Sequence, residues 1–403
     1  MGGEHRRRRR LARAIGLTLG SAVAWGLAHL CSGHRRTGLT LLLLYLALLT
    51  GGSLSLAALR PVLPALAVQP VWLTGAAVAC TLVGAFWAGV VLRSYQLVRP
   101  AGLTGLRRLL AGGCVGALCL LLFAPFAFAA RFAYVSREVV LSLFDEPGAA
   151  VPWPDRSRVN ILLIGADAAA GRPGARTDSM TVASIDLTTG RTVLFGLPRN
   201  LQRVPMPPGP ARARFPHGFT GADPATPGLL NEVFQYAEDH PEVVPGTVAG
   251  QRGPLFLKRT VSGILGIPVD HYVMVDMLGF KEFIDAIGGV TVTIKRDIRY
   301  GKRNQGLLPA GTRHLDGEAA LWFGRSRTDS DDYTRMARQK CLLHAIAAQA
   351  DPAAVLRGFE RIATAAKRYV STDIPQHALP ALVELGQKIR EAGIESLQFT
   401  PPL

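Results

Sequence analysis

Three long apolar stretches in the N-terminal part constrain the fold of this chain most strongly. They lie near residues 39–59, 71–92 and 109–130, and each is long enough to cross the hydrocarbon core of a bilayer as a helix. A helix satisfies its own backbone hydrogen bonds, which a segment in lipid must do. The sequence therefore predicts an N-terminal α-helical transmembrane region with three spans.

A fourth stretch, 11–30, is weaker because it carries Arg13 and His29 and follows five consecutive arginines. If all four stretches crossed, the loop with Arg93, Arg99 and two further arginines would face outward, against the positive-inside rule. If 11–30 lies in the interface or re-enters, that loop stays inside and the C-terminal half lies outside. We favour the second topology; an uncleaved N-terminal signal is another interpretation of this segment.

The charge is distributed in agreement with that topology. Residues 1–150 carry a net charge of +11, all of it from arginine, and the remainder carries +5. A basic excess inside the apolar half is typical of loops on the cytoplasmic face or of contact with anionic membrane lipid, and not of a nucleic-acid surface. We predict a multi-pass protein of the cytoplasmic membrane whose C-terminal domain is extracytoplasmic.

The domain organisation follows from these patterns. Residues 1–140 form the predicted membrane anchor, 141–157 a Pro- and Gly-rich linker, and 158–403 a folded external domain. Within that domain strand patterns alternate with helix patterns, which predicts one α/β or α+β domain with a mixed sheet. Among the predicted strands are "RVNILLIGAD" (158–167), two runs joined by the hairpin signal "TTGR", and "VTVTIKRDI" (290–298).

Charged side chains converge at the ends of the first three strands. With the hairpin turn near Thr189, residues whose numbers sum to about 378 face each other, so Asp178 lies beside Arg199. Arg176 shares a face with Asp178, and Asp167 ends the neighbouring strand. Two carboxylates and two guanidinium groups are therefore expected at one edge of the sheet.

The stretch "GRSRTDSDDYTRMARQ" (324–339) adds more arginines. Arg325 and Arg327 are two apart on a run predicted to be extended, while Arg335 and Gln339 are four apart on one face of a helix. The aspartates between them, at positions 329, 331 and 332, are expected to cap and begin that helix.

This inventory favours a polyphosphate ligand together with a divalent cation. Arginine binds phosphate oxygens bidentately and keeps its charge, and Mg²⁺ uses one or two carboxylates plus phosphate oxygens. The sequence contains no Walker A loop, so a nucleotide is not the obvious ligand. The alternative is that these charges pair with one another on a solvated face.

The ordered motifs "ILLIGAD", "RTDSMTVASID", "LPRN", "VDHYVMVDMLGFKEFIDAIGGVTV", "LPAGTRHLDGEAALWFGRSR" and "DDYTRMARQ" resemble the LytR-CpsA-Psr (LCP) family of cell-wall ligases, and the Arg-rich membrane half resembles its actinobacterial members. The resemblance covers about residues 155–400. It implies an LCP-type mixed-sheet domain with helices on both sides and an apolar tunnel for a lipid. Segments 256–265 and 278–287 are candidates for the tunnel lining, with plain core as the alternative.

The resemblance also implies a membrane-anchored phosphotransferase. Such enzymes attach a glycopolymer, carried on polyprenyl (undecaprenyl or decaprenyl) pyrophosphate, to peptidoglycan through a phosphodiester bond. Carried over by motif, Asp167 and Asp178 would hold Mg²⁺ (or Mn²⁺), and either could deprotonate the acceptor hydroxyl. These two aspartates, Arg199 and Arg325 would be catalytic. The implied pyrophosphate-binding residues are Arg176, Arg199, Arg325, Arg327, Arg335 and Gln339.

One departure from the family pattern is Asn200, which stands where the common "PRD" motif has an aspartate. Two other functions remain open at this point. A non-catalytic scaffold would bind polyprenyl phosphate without turnover, which leaves the carboxylate pair unexplained. A membrane-bound transcriptional regulator would need the domain inside the cell and a groove-reading helix, and no such helix stands out.

Overall fold

A computed structural model gives the structure of the chain. It describes residues 2–60, 62–100, 105–144, 153, 156–167, 176–301, 303–326, 328, 331–349 and 352–398. The chain divides into two compact units, residues 1–137 and 138–403. Of the predicted linker, 145–152 and 154–155 lie outside the described residues.

The first unit is helical. Its helices are α1 (Gly2–Val23), α2 (Leu27–Cys31), α3 (Arg35–Leu59), α4 (Leu63–Leu66), α5 (Pro70–Val98) and α6 (Gly105–Leu143), of which α6 continues into the second unit. Three segments are long and apolar enough to cross a membrane, at Arg35–Leu59, Pro70–Val98 and Arg108–Leu143. These contain the three predicted spans.

The weaker segment 11–30 is interrupted. The apolar part of α1, Leu11–Val23, is about 20 Å long at the α-helical rise, less than the hydrocarbon thickness. The break before α2 falls at Gly26, whose φ of 88° is in the left-handed region. A Cβ there would lie 2.2 Å from the Gly38 carbonyl oxygen, so only glycine fits this turn.

The second unit contains ten strands and eight further helices within the described residues. The strands are β1 (Arg158–Asp167), β2 (Arg176–Asp186), β3 (Thr192–Leu197), β4 (His271–Asp276), β5 (Val290–Ile294), β6 (Ile298–Tyr300), β7 (Gly306–Leu308), β8 (Gly311–Leu315), β9 (Val370–Thr372) and β10 (Ile394–Gln398). The helices are α7 (Pro210–Arg214), α8 (Val233–Asp239), α9 (Arg252–Leu265), α10 (Met277–Ala286), α11 (Gly317–Arg325), α12 (Asp332–Gln349), α13 (Pro352–Tyr369) and α14 (Leu379–Ala392). Single 3₁₀ turns lie at Leu230–Glu232, Pro241–Val243 and Gln376–Ala378.

Six strands form the main sheet in the order β10-β3-β2-β1-β4-β9. β2 is antiparallel to β1 and β3, whereas β4 is parallel to β1 and β10 is parallel to β3, so the sheet is mixed. Two antiparallel pairs, β5–β8 and β6–β7, stand apart from it.

Both faces of the main sheet are buried because alternate residues of β1 and β2 enter different cores. Leu162 and Val182 pack with α8 and α9 on one face. Ile161 and Ile185 pack with α14 on the other. The predicted mixed-sheet domain with helices on both sides is therefore confirmed.

Two local predictions were wrong. The segment 290–298 is not one strand: β5 ends at Ile294, the polar residues 295–297 interrupt it, and β6 pairs with a different partner from Ile298. Arg325 is not on an extended run but is the last residue of α11. Asp316 caps that helix by accepting from the Ala319 N–H, and the apolar spacing of its 319–323 segment extends it to Arg325.

Helices α10 and α11 approach closely at Gly317. A Cβ at this position would lie 2.2 Å from the Lys281 backbone oxygen, and the Gly317 N–H donates to Asp285 at 2.7 Å. Because the obstacle is backbone, α11 would have to move away. The position of Arg325, at the far end of α11, depends on this contact.

We expect Gly317→Ala to destabilise the domain by about 1–3 kcal/mol through overpacking. The matched control is Gly386→Ala in α14, where a Cβ would meet no atom within 4 Å. This control should stabilise by up to about 1 kcal/mol because alanine is the better helix former. Thermal unfolding midpoints of the full-length protein in detergent measure both changes. Equal midpoints for the two variants would contradict the close approach.

Candidate functional site

The site lies where the end of β1 pairs with the start of β2. Gly165 lies opposite Ser179, but the next residue, Ala166, lies opposite Thr177. Asp178 is therefore the extra residue of a β-bulge. Bulges bend a strand and re-aim the side chain they carry, and they are common beside active sites.

Asp178 forms an ion pair with Arg199, which follows β3. The β2–β3 register places Met180 opposite Leu197, and the same register continued by two residues sets Asp178 against Arg199. The predicted contact between these two residues is confirmed. The two side chains are only 17% and 15% exposed, so each compensates the desolvation of the other.

The second carboxylate, Asp167, ends β1 and is only 8% exposed. Its Oδ2 accepts a hydrogen bond from the Arg325 guanidinium at 2.7 Å. The two residues are 158 positions apart, so this contact joins the sheet to the end of α11. The structure thus sets two carboxylate–arginine pairs at neighbouring strand ends.

Helix α12 supplies the third part of the site. Asp331 precedes it and accepts from the Thr334 N–H at 2.8 Å, as the predicted capping role requires. The Thr334 hydrogen bonds, and to a smaller extent the charge of Arg296, hold the pKa of Asp331 below its usual value. Arg335 follows one turn later and is 98% buried.

Gln339 connects α12 to two other elements. Its side-chain oxygen accepts from the Ser179 hydroxyl at 3.1 Å, and its amide nitrogen donates to the Gly324 carbonyl at 3.1 Å. The amide therefore ties α12 to β2 beside the bulge and to α11 beside Arg325.

A narrow cleft with a cavity volume of about 30 Å³ lies between β2, β3 and α12. Its polar lining includes Asp178, Arg335 and Gln339. Its apolar lining includes Met180, Leu197, Met336 and Leu343. The lining therefore places charged and polar side chains beside apolar ones.

An aromatic side chain also positions Arg325. Its guanidinium carbon lies 5.5 Å from the centre of the Trp322 ring, within cation–π range. Trp322 stacks on Tyr300 with ring centres 5.3 Å apart and donates its indole N–H to Glu318 at 2.7 Å. The hydrogen bonds from Lys281 and then Trp322 lower the pKa of Glu318.

The predicted site residues are brought together in part. Asp167, Asp178, Arg199 and Arg325 form the two ion pairs, and Arg335 and Gln339 lie on α12 beside them. The backbone of Arg176 pairs with Asp167 at the start of β2. Arg327 lies outside the described residues, as does Asp329.

The suggested tunnel segments fall elsewhere. Phe256, Leu257 and Val261 of α9 are fully buried in the sheet core, and Ile284 of α10 is fully buried in a second core. Neither segment lines the cleft beside Asp178. These four residues are therefore core residues, as the alternative interpretation has it, and a lipid tunnel lined by the rest of the two segments stays a prediction.

Sequence reasoning missed three residues of the site, namely Ser179, Trp322 and Arg338. Arg338 is 9% exposed and donates to the Ser326 carbonyl. Burial lowers the pKa of this guanidinium, and the nearby charge of Arg296 adds to the effect. Its spacing of three from Arg335 on a helix was a usable signal.

Asp167 and Asp178 are the candidate ligands of a divalent cation. Asp167 and Asp178 lie on adjacent strands at the same edge, and oxygen ligands of this kind suit Mg²⁺. In the part of the chain that the structure describes, no cluster of three or more His, Cys, Asp or Glu side chains could hold a metal by itself. The donor set fits a cation that takes its remaining ligands from phosphate oxygens and water, since Mg²⁺ binds in that way.

Comparisons with known proteins identify a family and similar transferases. A model of the LytR_cpsA_psr family matches residues 142–401. The polyisoprenyl-teichoic acid–peptidoglycan teichoic acid transferase TagV of Bacillus subtilis is 33% identical over 150 residues, which are 35% of this chain and 38% of TagV. The transferase TagU of Oceanobacillus iheyensis is 28% identical over 233 residues, which are 57% of this chain and 63% of TagU.

The matched regions thus span between 38% and 63% of the length of these two relatives. Among solved structures, the crystal structure of B. subtilis TagV matches with a TM-score of 0.44 and 25% identity. That match covers 61% of this chain and 86% of the TagV chain.

Proposed function

This chain belongs to the LytR_cpsA_psr family, as its motifs predicted, and we propose that it is a glycopolymer–peptidoglycan phosphotransferase. The donor is a glycopolymer on a polyprenyl pyrophosphate, and the acceptor is a hydroxyl of peptidoglycan. The observation that carries the proposal is the pair of carboxylate–arginine contacts beside Arg335 and Gln339. The names of the relatives, which are teichoic acid transferases, support this assignment.

The proposed reaction is one phosphoryl transfer. The acceptor oxygen attacks the phosphorus that carries the glycan, and the bond to the bridging pyrophosphate oxygen breaks. Polyprenyl phosphate leaves with that oxygen, and the glycan stays joined to peptidoglycan by a phosphodiester. Asp167 or Asp178 accepts the proton of the attacking hydroxyl.

The arginines supply positioning and charge neutralisation, which phosphoryl transfer chiefly needs. Arg199 and Arg325 are already oriented by their carboxylates, and Arg335 is buried in the cleft wall. We assign Arg176, Arg327 and Gln339 to the same pyrophosphate. Mg²⁺ or Mn²⁺ held by Asp167 and Asp178 would supply further neutralisation of the phosphate oxygens.

The membrane helices give the enzyme access to a lipid-linked donor. Three helices are long and apolar enough to anchor the chain in a membrane. We propose that they cross the cytoplasmic membrane with the catalytic domain outside, where peptidoglycan lies. The apolar side chains of the cleft, such as Met180 and Leu343, would contact the first units of the polyprenyl chain.

We expect Arg325→Ala and Asp178→Ala each to lower transfer by about 100-fold or more, because each removes preorganised charge from the reacting phosphate. The measurement is release of polyprenyl phosphate by the full-length protein in detergent, with a glycan-bearing polyprenyl pyrophosphate and peptidoglycan fragments. Arg259→Ala is the control, since Arg259 is exposed on α9 and lines no part of this cleft. Full activity in a folded Asp178→Ala protein would reject the proposed mechanism.

Dependence on a divalent cation is a separate prediction. Chelation should stop transfer by the wild type, and added Mg²⁺ or Mn²⁺ should restore it. Asp167→Asn should raise the cation concentration needed for half-maximal rate, because an amide oxygen binds the cation more weakly than a carboxylate. Unchanged turnover after chelation would remove the metal from the proposal.

The orientation can be tested through Cys341, which is exposed on α12. In a variant with Cys31, Cys80, Cys114 and Cys119 changed to Ala, a membrane-impermeant maleimide should label Cys341 in intact cells. The same background with Cys341→Ser should stay unlabelled. Labelling that appears only after lysis would place the domain inside the cell.

A further inference from the structure

The ribbon formed by β6, β7 and their flanks has a strongly basic outer surface. Residues 295–305 contain five basic residues and one acidic residue, Asp297. Lys295, Arg299 and Arg303 are exposed. The Asp297 carboxylate accepts a hydrogen bond from the Ala310 N–H at 2.8 Å, so its partner is a backbone group.

These exposed cations are not neutralised by the fold. Among the described residues, no ion pair joins Lys295, Arg299 or Arg303 to a carboxylate. Elsewhere in the same unit, exposed basic side chains such as Lys281 and Arg191 have acidic partners. The outer surface of the ribbon is therefore positively charged, and these three cations form no ion pair with the described part of the domain.

The inner face of the ribbon fixes it beside the site. Tyr300 stacks on Trp322, and a Cβ on Gly306 would lie 2.3 Å from the Tyr300 ring, so glycine is needed opposite this ring. The Arg299 carbonyl accepts from the Ser326 hydroxyl at 2.6 Å. The Asn304 side chain accepts from Thr328 at 2.9 Å. The ribbon is thus bound to the loop that directly follows Arg325.

Arg296 of the ribbon lies close enough to the start of α12 to act on its charged groups. Arg296 acts by its charge on Asp331, where the Thr334 hydrogen bonds are the larger influence, and on the buried Arg338. A cluster of exposed charges of one sign attracts long oppositely charged molecules and raises their local concentration. An anionic chain that leaves the Arg325 region would meet these cations next.

We propose that the outer face of the β6–β7 ribbon binds the polyanionic chain of the glycopolymer donor, that is, a glycan with a phosphate or carboxylate on each repeat. This inference rests on the proposed function for the identity of the polymer. A row of exposed cations on an extended ribbon suits a ligand with repeating charges. Segments that bind a membrane surface add several apolar side chains, whereas Leu307 is the one large exposed hydrophobic residue recorded on the described part of the ribbon.

The test is binding of a synthetic poly(glycerol phosphate) to the full-length protein in detergent, compared with Arg299→Glu/Arg303→Glu. The double variant should bind the polymer about tenfold more weakly or worse, because exposed ion pairs each contribute up to about fivefold and reversal adds repulsion. Wild-type affinity should fall as salt rises. Affinity for inorganic pyrophosphate should be the same in both proteins, since the reaction site is intact.

The matched control is Arg214→Glu/Arg259→Glu, which makes the same change in net charge with two exposed arginines of α7 and α9. It should bind the polymer as the wild type does. If both double variants bound the polymer equally weakly, net charge alone would explain the loss of affinity, and the proposal would be overturned. Unchanged polymer affinity, together with lost binding to phosphatidylglycerol vesicles, would assign the ribbon to the membrane instead. Because binding requires no turnover, failure of the transferase assay would leave this result interpretable on its own.

Discussion

The cost of burying two carboxylates at the end of a sheet organises this domain. Asp167 ends β1 and Asp178 is the bulge residue near the start of β2, and their side chains are mostly buried. A buried carboxylate needs a cationic or hydrogen-bonding partner, or it loses its charge. Arg199 comes from the end of β3 and Arg325 from the end of α11. The ion pairs therefore hold together elements that are remote in sequence, and the resulting arrangement of charge is what a pyrophosphate requires.

The elements that carry the arginines are themselves fixed by short-range contacts. Asp316 begins α11, and Gly317 lets that helix lie against the backbone of α10. Trp322 supports the Arg325 guanidinium, while Gln339 bridges β2 and α11 through two hydrogen bonds. A guanidinium held on several sides loses little rotamer freedom when an anion binds, and such preorganisation favours electrostatic catalysis.

Local sequence patterns were sufficient to predict the strands around the site. They also predicted the Asp178–Arg199 contact, because the position of a hairpin turn fixes which residues of its two strands face each other. The bulge at Asp178 escaped detection, since one inserted residue leaves the apolar alternation of β2 intact on either side. The helical end of α11 was missed because two arginines two residues apart suit either an extended run or the end of a helix. The contact between Asp167 and Arg325 spans 158 residues, and no periodicity encodes it. Only the order of the motifs, read as a family resemblance, placed those residues in one site.

The arginines of the domain differ in what the fold provides for them. Arg199 and Arg325 each have a carboxylate, so their positions are set before any ligand arrives. A compact anion such as a pyrophosphate needs this fixed geometry, because it makes few contacts and each must be short. Arg299 and Arg303 are exposed, and no ion pair is recorded for them in the described chain. Such charges act weakly on one ion but add up along a polymer within a screening length of about 8–10 Å. An internal carboxylate thus distinguishes Arg199 and Arg325, which suit the proposed reacting phosphate, from Arg299 and Arg303, which suit the proposed polymer chain.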